Sequence, residues 1–308
     1  MQHVEDLYPT RKDGREHIID RRDPVIWGEP EADLPSGLPE DRLKQFARDG
    51  YLVVPDVFSQ DEVALMQAEL DRLAADRDVR AREEAVLEPD SEIVRSLFAP
   101  HRFSPLFDRV ARDRRLTDPI RQMLADDLYL HHARVNVKPA FDGRSFAWHS
   151  DFETWHAEDG LPRMRAVTGW IMLTENTPSN GPLMLIPGSH KIFVGCPGET
   201  PDDHYKTSLR RQKLGVPHAD TLREMARKGG IAGAYGKPGT VVFHECNTLH
   251  GSPDNMSPWD RRNLMFVYNA WSNRPVGKPF SARKPRPAFL SERPDAPLVP
   301  AEGPLAQA

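Results

Sequence analysis

What this chain can fold into is constrained first by a change of rhythm at Leu128. Before it, apolar residues recur at three- and four-residue intervals; after it, the period is two. In the run LYLHHARVNVK, His132, Arg134, Asn136 and Lys138 share one face, whereas Leu130, Ala133, Val135 and Val137 supply apolar content without a single parity. A strand with an unbroken polar face in an otherwise apolar segment lines a cavity. Further strands are predicted over 167–173, 181–186, 239–246 and 263–270, with Gly and Pro turn signals between them. Many short strands of this kind make a sandwich or barrel. No internal repeat is visible.

Ahead of Leu128 the signals are helical. Residues 1–37 carry Pro9, Pro24, Pro30 and Pro35 among charges and read as an extended arm, anchored by Leu7, Tyr8, Val25, Ile26 and Trp27. LPEDRLKQFARDG predicts a helix with Leu43, Phe46 and Ala47 on one face and Gly50 as its left-handed stop, followed by a short strand over 51–55. Ser59 and Glu62 form a capping box for a helix carrying Val63, Met66, Leu70 and Leu73. Ser104-Pro105 opens another helix, and Pro119 a third with Ile120, Met123 and Leu124. Residues 76–100 show no settled period. The expected organisation is a single domain over 1–308: an arm (1–37), a helical layer (38–127), a strand-rich core (128–275) and a proline-rich extension (276–308).

Composition narrows the function classes. A formal charge of -5 argues against nucleic acid and anionic membrane surfaces, so a small-molecule partner is expected. The basic tail VGKPFSARKPRPAF is short and lacks interleaved stacking aromatics, which suits a surface-hugging extension. Two cysteines, Cys196 and Cys246, stand in no zinc-like spacing. No apolar run is long enough to span a bilayer, and the first residues lack the apolar stretch of a secretory leader. A cytoplasmic location is expected.

Chemistry concentrates in FAWHSDFETWHAEDGLPRMRA, residues 146–166. His149 and Asp151 are one residue apart, which on a strand turns both side chains to one side with Ser150 opposed. His250, between the strand ending at Cys246 and a Gly251-Ser252 turn, can supply a third ligand. Two imidazoles and a carboxylate on one face of an octahedral ion leave three positions open, as an Fe(II) centre holding a chelating cosubstrate and O2 requires. An isolated HxD is common, and most such histidines are ordinary surface or core residues. What adds weight is Arg261, at the head of the next strand, whose guanidinium can pair with the far end of a dicarboxylate; it also reads as an exposed turn arginine. His244 shares the parity of Cys246 and could approach either the metal or a bound molecule. Trp148 and Trp155 suit a plain core or a wall beside a cationic ring. His156, Glu158 and Asp159 read as a solvated loop. Asp202, Asp203, His204 and Tyr205 lie in a long punctuated segment that could cover a site.

With these residues in view, the chain resembles the phytanoyl-CoA dioxygenase group of Fe(II)- and 2-oxoglutarate-dependent oxygenases, through HxD, the distal histidine, Arg261 and the run NGPLMLIPGSH. The similarity is closer to the ectoine hydroxylase branch. HSDFETWH, EDG, PRMRA, DLYPTR, GETPDDHYK and KPRP carry it, and it covers essentially the whole chain. The resemblance implies a mainly β fold with flanking helices around a double-stranded β-helix (jelly-roll, cupin-like) core. It implies iron held by His149, Asp151 and His250, and 2-oxoglutarate held by Arg261 with Asn136, Phe146, Thr168 and Ser252. Trp155, Arg134 and Asn263 match substrate-pocket positions. The implied activity is hydroxylation of ectoine to 5-hydroxyectoine, with O2 as cosubstrate and succinate and CO2 formed, by a homodimer. Related halogenases lack the carboxylate, so Asp151 implies hydroxylation.

Two positions depart from that pattern. His132 stands where the branch has Gln in HQSRIN, and His244 where it has a second Phe before DCNTMHG; Gly169 and Trp170 replace small polar residues. Both histidines are expected at the substrate, where imidazoles alter hydrogen bonding. A hydroxylase of another small amino or imino acid, proline-like, therefore stands as the alternative. A zinc hydrolase, which has no use for Arg261, and a non-catalytic binding module are the readings from other classes.

Overall fold

The computed structural model describes residues 5–29, 34–88, 93–209, 212–275 and 277–305; Pro30 and Val276, which starts the expected extension, lie outside them. Its strands in chain order are β1 (His17–Asp20), β2 (Tyr51–Val54), β3 (Ala85–Leu87), β4 (Val94–Phe98), β5 (Leu128–Lys138), β6 (Phe146–His149) and β7 (Ala166–Met172). They continue with β8 (Leu183–Leu185), β9 (Ile192–Gly195), β10 (Ala232–Ala234), β11 (Val241–Glu245), β12 (His250–Ser252) and β13 (Arg261–Ala270). A seven-stranded sheet runs β2-β11-β7-β13-β5-β4-β3, and a four-stranded sheet runs β10-β8-β12-β6. This is the expected mainly β jelly roll with flanking helices.

Strand alternation decides what each face of the large sheet meets. Leu264, Phe266 and Tyr268 of β13, with Val167 and Ile171 of β7, join a core completed by helices Glu40–Asp49, Gln60–Ala75, Pro105–Ala111 and Arg114–Leu124. The intervening Met265, Trp170, Met172 and Val242 pack instead against Leu183, Leu185 and Ala234 of the small sheet. The cavity opens between the sheets on that inner face.

The mixed parity of β5 has a local cause. Val267 pairs with His132 but Tyr268 with Leu130, so His131 is an extra residue, a β-bulge. Beyond the bulge the side-chain alternation is reset, which lets Leu130 and Ala133 face the same helical layer.

Capping chemistry in the helical layer is as predicted at two of three starts. Ser59 accepts from Glu62 N while Glu62 reaches back to Ser59 N, and Ser104 caps the helix opened by Pro105. Gly50 takes the left-handed conformation, φ 81°. Pro119 does not open a helix. Asp113 caps Arg114–Leu124 by accepting from Arg115 N, and Pro119 lies inside that helix. Residues 76–100 hold a short helix, Arg77–Arg80, and the β3-β4 hairpin that extends the large sheet. The short β1, β9 and β10 have too little periodicity to be read in advance, whereas the helix Ala219–Gly229, not among the expected elements, carries Leu222, Met225 and Ala226 at helical spacing.

Both ends of the chain lie over this body. β1 pairs with β9, and the buried Tyr8 hydroxyl donates to Asp23 Oδ2 at 3.0 Å. In the tail, Glu292 N donates to His131 O and Leu305 is buried against the helical layer. No helix among the described residues is long and apolar enough to cross a membrane.

Candidate metal centre and anion site

His149 and His250 meet because β6 and β12 pair in register at these two residues, which sets their ring centroids 4.3 Å apart. Gly251-Ser252 is therefore strand, not the turn expected. Asp151 arrives differently from the prediction. β6 ends at His149, Ser150 sits at the N-cap with its hydroxyl donating to Asn247 Oδ1 (2.9 Å), and Asp151 is the first residue of the short helix Asp151–Thr154. The carboxylate still reaches both histidines, with Oδ1 3.6 Å from His149 Nε2 and Oδ2 3.9 Å from His250 Nε2.

The donor set suits one divalent ion. One nitrogen from each of His149 and His250 and one oxygen of Asp151 lie within 4.8 Å of one another. Each imidazole commits Nδ1 to a backbone carbonyl, Ala147 O at 2.7 Å and Thr248 O at 2.9 Å. An Nδ1–H donating there leaves Nε2 with its lone pair toward the shared centre, the arrangement expected of metal-binding histidines. Burial, then the neighbouring His149, pushes His250 down to about 3. Burial works to raise Asp151, but His250 and His149 hold it well below the usual carboxylate range.

Beyond this cluster the inner face is cationic and short of anions. Arg261, wholly buried, donates from Nη1 to Gly181 O at 2.7 Å and from Nη2 to Asn136 Oδ1, while its Nε and Asn136 Nδ2 have no partner among the described residues. Burial first, then Arg134, pushes Arg261 down to about 9. Lys138 lies one strand step past Asn136; its Nζ donates to Pro253 O and stands 5.4 Å from the Phe146 ring centroid. Burial and the nearby Arg261 push Lys138 down to about 6. A buried guanidinium and a buried amine with no carboxylate salt-bridged to either among the described residues, beside orphaned amide and guanidinium donors, can hold a dianion. Lys138 was visible on the polar face of β5, but a strand-end lysine reads as solvent-facing until its burial is known.

The remaining predicted residues divide. His132, Arg134, Trp155, Phe146 and Ser252 line the cavity together with the histidine–aspartate cluster. Arg134 lies over the rings of Phe98 (5.7 Å) and Phe146 (5.4 Å). His132 Nδ1 bonds Leu290 O at 3.0 Å, and burial, then Arg134 and Arg286, pushes its pKa down to about 3. The neutral ring donates at Nδ1 and offers Nε2 to the cavity as an acceptor. Asn263 is drawn off: with its side-chain amide assigned from its neighbours, so that oxygen meets donor and nitrogen meets acceptor, it accepts from Trp170 Nε1 at 2.5 Å and donates to Arg262 O. Thr168 and His244 pair across β7 and β11 but do not line the open cavity.

His156, Glu158 and Asp159 are not a solvated loop. They occupy a buried π-helical turn, Trp155–Asp159, enforced by charge pairing from both chain ends. Arg11 joins Glu153 (2.7 Å) and Glu158 (2.5 Å), Arg286 joins Asp159 (2.6 Å), and His204 joins Glu158 (2.9 Å). These long-range partners, hidden in sequence, hold the wall that carries Trp155. His204, Ser208 and Leu209 border the cavity, so the long segment expected to cover a site does lie beside it.

The jelly roll thus carries two imidazoles and a carboxylate at its cavity. The chain belongs to the phytanoyl-CoA dioxygenase family, whose model matches residues 46–263. More narrowly, its relatives are ectoine dioxygenases. It is 48% identical over 305 residues to the ectoine dioxygenase of Sphingopyxis alaskensis, covering 99% of each chain, and 49% identical over 288 residues to that of Stutzerimonas stutzeri, covering 94% of each. The crystal structure of EctD from S. alaskensis with 2-oxoglutarate and 5-hydroxyectoine superimposes with a TM-score of 0.87 at 45% identity, covering 98% of this chain and 100% of that one.

Proposed function

We propose that this protein is an ectoine hydroxylase, converting ectoine to 5-hydroxyectoine with Fe(II), 2-oxoglutarate and O2. The observation that carries the reading is near-full-length identity to ectoine dioxygenases combined with a histidine–aspartate–histidine cluster at the cavity floor. Bound iron and 2-oxoglutarate supply the oxidising chemistry, with succinate and CO2 as coproducts.

The chain's own residues bind, orient and exclude water. His149, Asp151 and His250 hold the metal through two Nε2 atoms and a carboxylate oxygen. Arg261, supported by Asn136 and joined by Lys138, takes the far carboxylate of 2-oxoglutarate, and Phe146, Thr168 and Ser252 stand around the cosubstrate as a whole. Ectoine lies against Trp155 and Arg134. His132 Nε2 accepts a substrate N–H, so its replacement of the usual Gln preserves an acceptor and does not favour the proline-like alternative. Asn263 supports the pocket through the Trp170 indole. The single domain, the homodimer and the cytoplasmic location belong to the same proposal and rest on the resemblance to the ectoine hydroxylases.

Ectoine-dependent succinate formation by the purified protein with Fe(II), 2-oxoglutarate and O2, with the product's position fixed by NMR, tests the reading. Succinate that rises with proline and not with ectoine overturns the substrate; turnover persisting without O2 overturns the reaction.

A further inference from the structure

His244 stands out among the buried polar groups. Its side chain is fully inaccessible, and neither Nδ1 nor Nε2 has a hydrogen-bond partner among the described residues. An imidazole always carries at least one N–H, and a buried donor left unmade costs about 1–3 kcal/mol, so such groups are retained where something else completes them. Across the strand pair, in register with His244, the Thr168 hydroxyl is also buried and also lacks a partner among the described residues.

Position says what completes them. The His244 ring lies 4.8 Å from that of His250, so it borders the metal centre. It is not part of the group of ligand atoms that converge there. Carbon-rich neighbours cover the rest of this inner row, with Val242 two residues before it and Val267 beyond Thr168. His244 therefore borders the place where an oxygen-bearing ligand is expected, and Thr168 stands beside it on the neighbouring strand.

We propose that His244, together with Thr168, donates a hydrogen bond to a carboxylate oxygen of the keto acid at its metal-bound end, and so acts as a positioning residue for the cosubstrate, not as a metal ligand or a substrate contact. The inference rests on the reading of the site as an Fe(II)/2-oxoglutarate centre. It gives the histidine that replaces the branch's phenylalanine a role at the opposite end of the cosubstrate from Arg261 and Lys138.

The test is anaerobic titration of the Fe(II)-loaded protein with 2-oxoglutarate, followed by the charge-transfer absorption of the ferrous keto-acid complex. H244F, which keeps an aromatic ring but no donor, is expected to weaken 2-oxoglutarate roughly tenfold or more and to shift that band. H244Q, which restores a donor, recovers much of both. T168V combined with H244F costs less than the sum of the two, as for groups sharing one acceptor. Iron affinity and ectoine binding to the ternary complex are unchanged in H244F, and its thermal unfolding reports that it is folded. Unchanged 2-oxoglutarate affinity in a folded H244F overturns the inference in favour of a water-filled or purely structural site. Lost iron affinity makes His244 a ligand, and an effect confined to ectoine makes it a substrate contact; each overturns the inference. A wild-type protein that binds iron but no 2-oxoglutarate defeats the proposed function itself, a result distinct from all of these.

Discussion

Binding of 2-oxoglutarate should be coupled to uptake of a proton by Lys138. Burial and Arg261 lower this ammonium to about 6 in the ligand-free protein, whereas its ordinary value is 10.5. At pH 8, about one molecule in a hundred then carries the charge. A carboxylate brought against Lys138 and Arg261 restores the charged form, because it supplies the counter-charge that burial removed. Observed affinity should therefore fall roughly tenfold per pH unit above pH 6, and close to one proton should be taken up per ligand near pH 8. Calorimetry of 2-oxoglutarate binding to Mn(II)-loaded protein, in two buffers of different ionisation enthalpy, measures that proton directly. Lys138→Met should abolish the uptake and flatten the pH dependence while weakening binding at pH 6. Absence of uptake by the wild-type protein near pH 8 would refute the argument that Lys138 is neutral before the anion arrives.

Other outcomes follow from the same geometry. Replacing His149, Asp151 or His250 with Ala should lower Fe(II) affinity by more than the roughly 10–100-fold that losing an outer hydrogen bond costs, measured by metal titration. His132→Gln should leave the KM for ectoine within a few-fold, since an acceptor remains, whereas His132→Phe should raise it by about tenfold. His132 and His250, both near 3 when folded and 6.5 ordinarily, stay neutral while the unfolded chain takes up protons. The stability of the metal-free protein should thus decline as pH falls from 6.5 toward 3, more shallowly in His132→Gln; a urea midpoint that rises on acidification over that range contradicts this. Ser59→Ala should cost about 1 kcal/mol by breaking the capping box, read from urea unfolding, with 2-oxoglutarate affinity unchanged.

Much of the fold was legible because its signals are local. Ser59 with Glu62, Gly50 after a helical run, and the period-two face of β5 each act through neighbours a few residues away. Pro119 misled for the complementary reason: cap-then-proline is a local rule, and the actual start was set five residues earlier by Asp113. The π-helical turn at 155–159 could not be read at all, because its acidic residues are buried only by virtue of Arg11, His204 and Arg286.

The order of residues alone determined the ligand types: His149 and Asp151 one residue apart, a distal histidine, and an arginine heading the final long strand. It also determined the polar face of β5, since alternation is a property of extended backbone. Tertiary structure decided how those parts are used. Pairing of β6 with β12 brought His149 and His250 together, a helix start rather than a strand aimed Asp151, and burial set Lys138 beside Arg261 and lowered both pKa values. Register, burial and charge compensation depend on residues far apart in the chain, so they exist only once the two sheets have closed on each other.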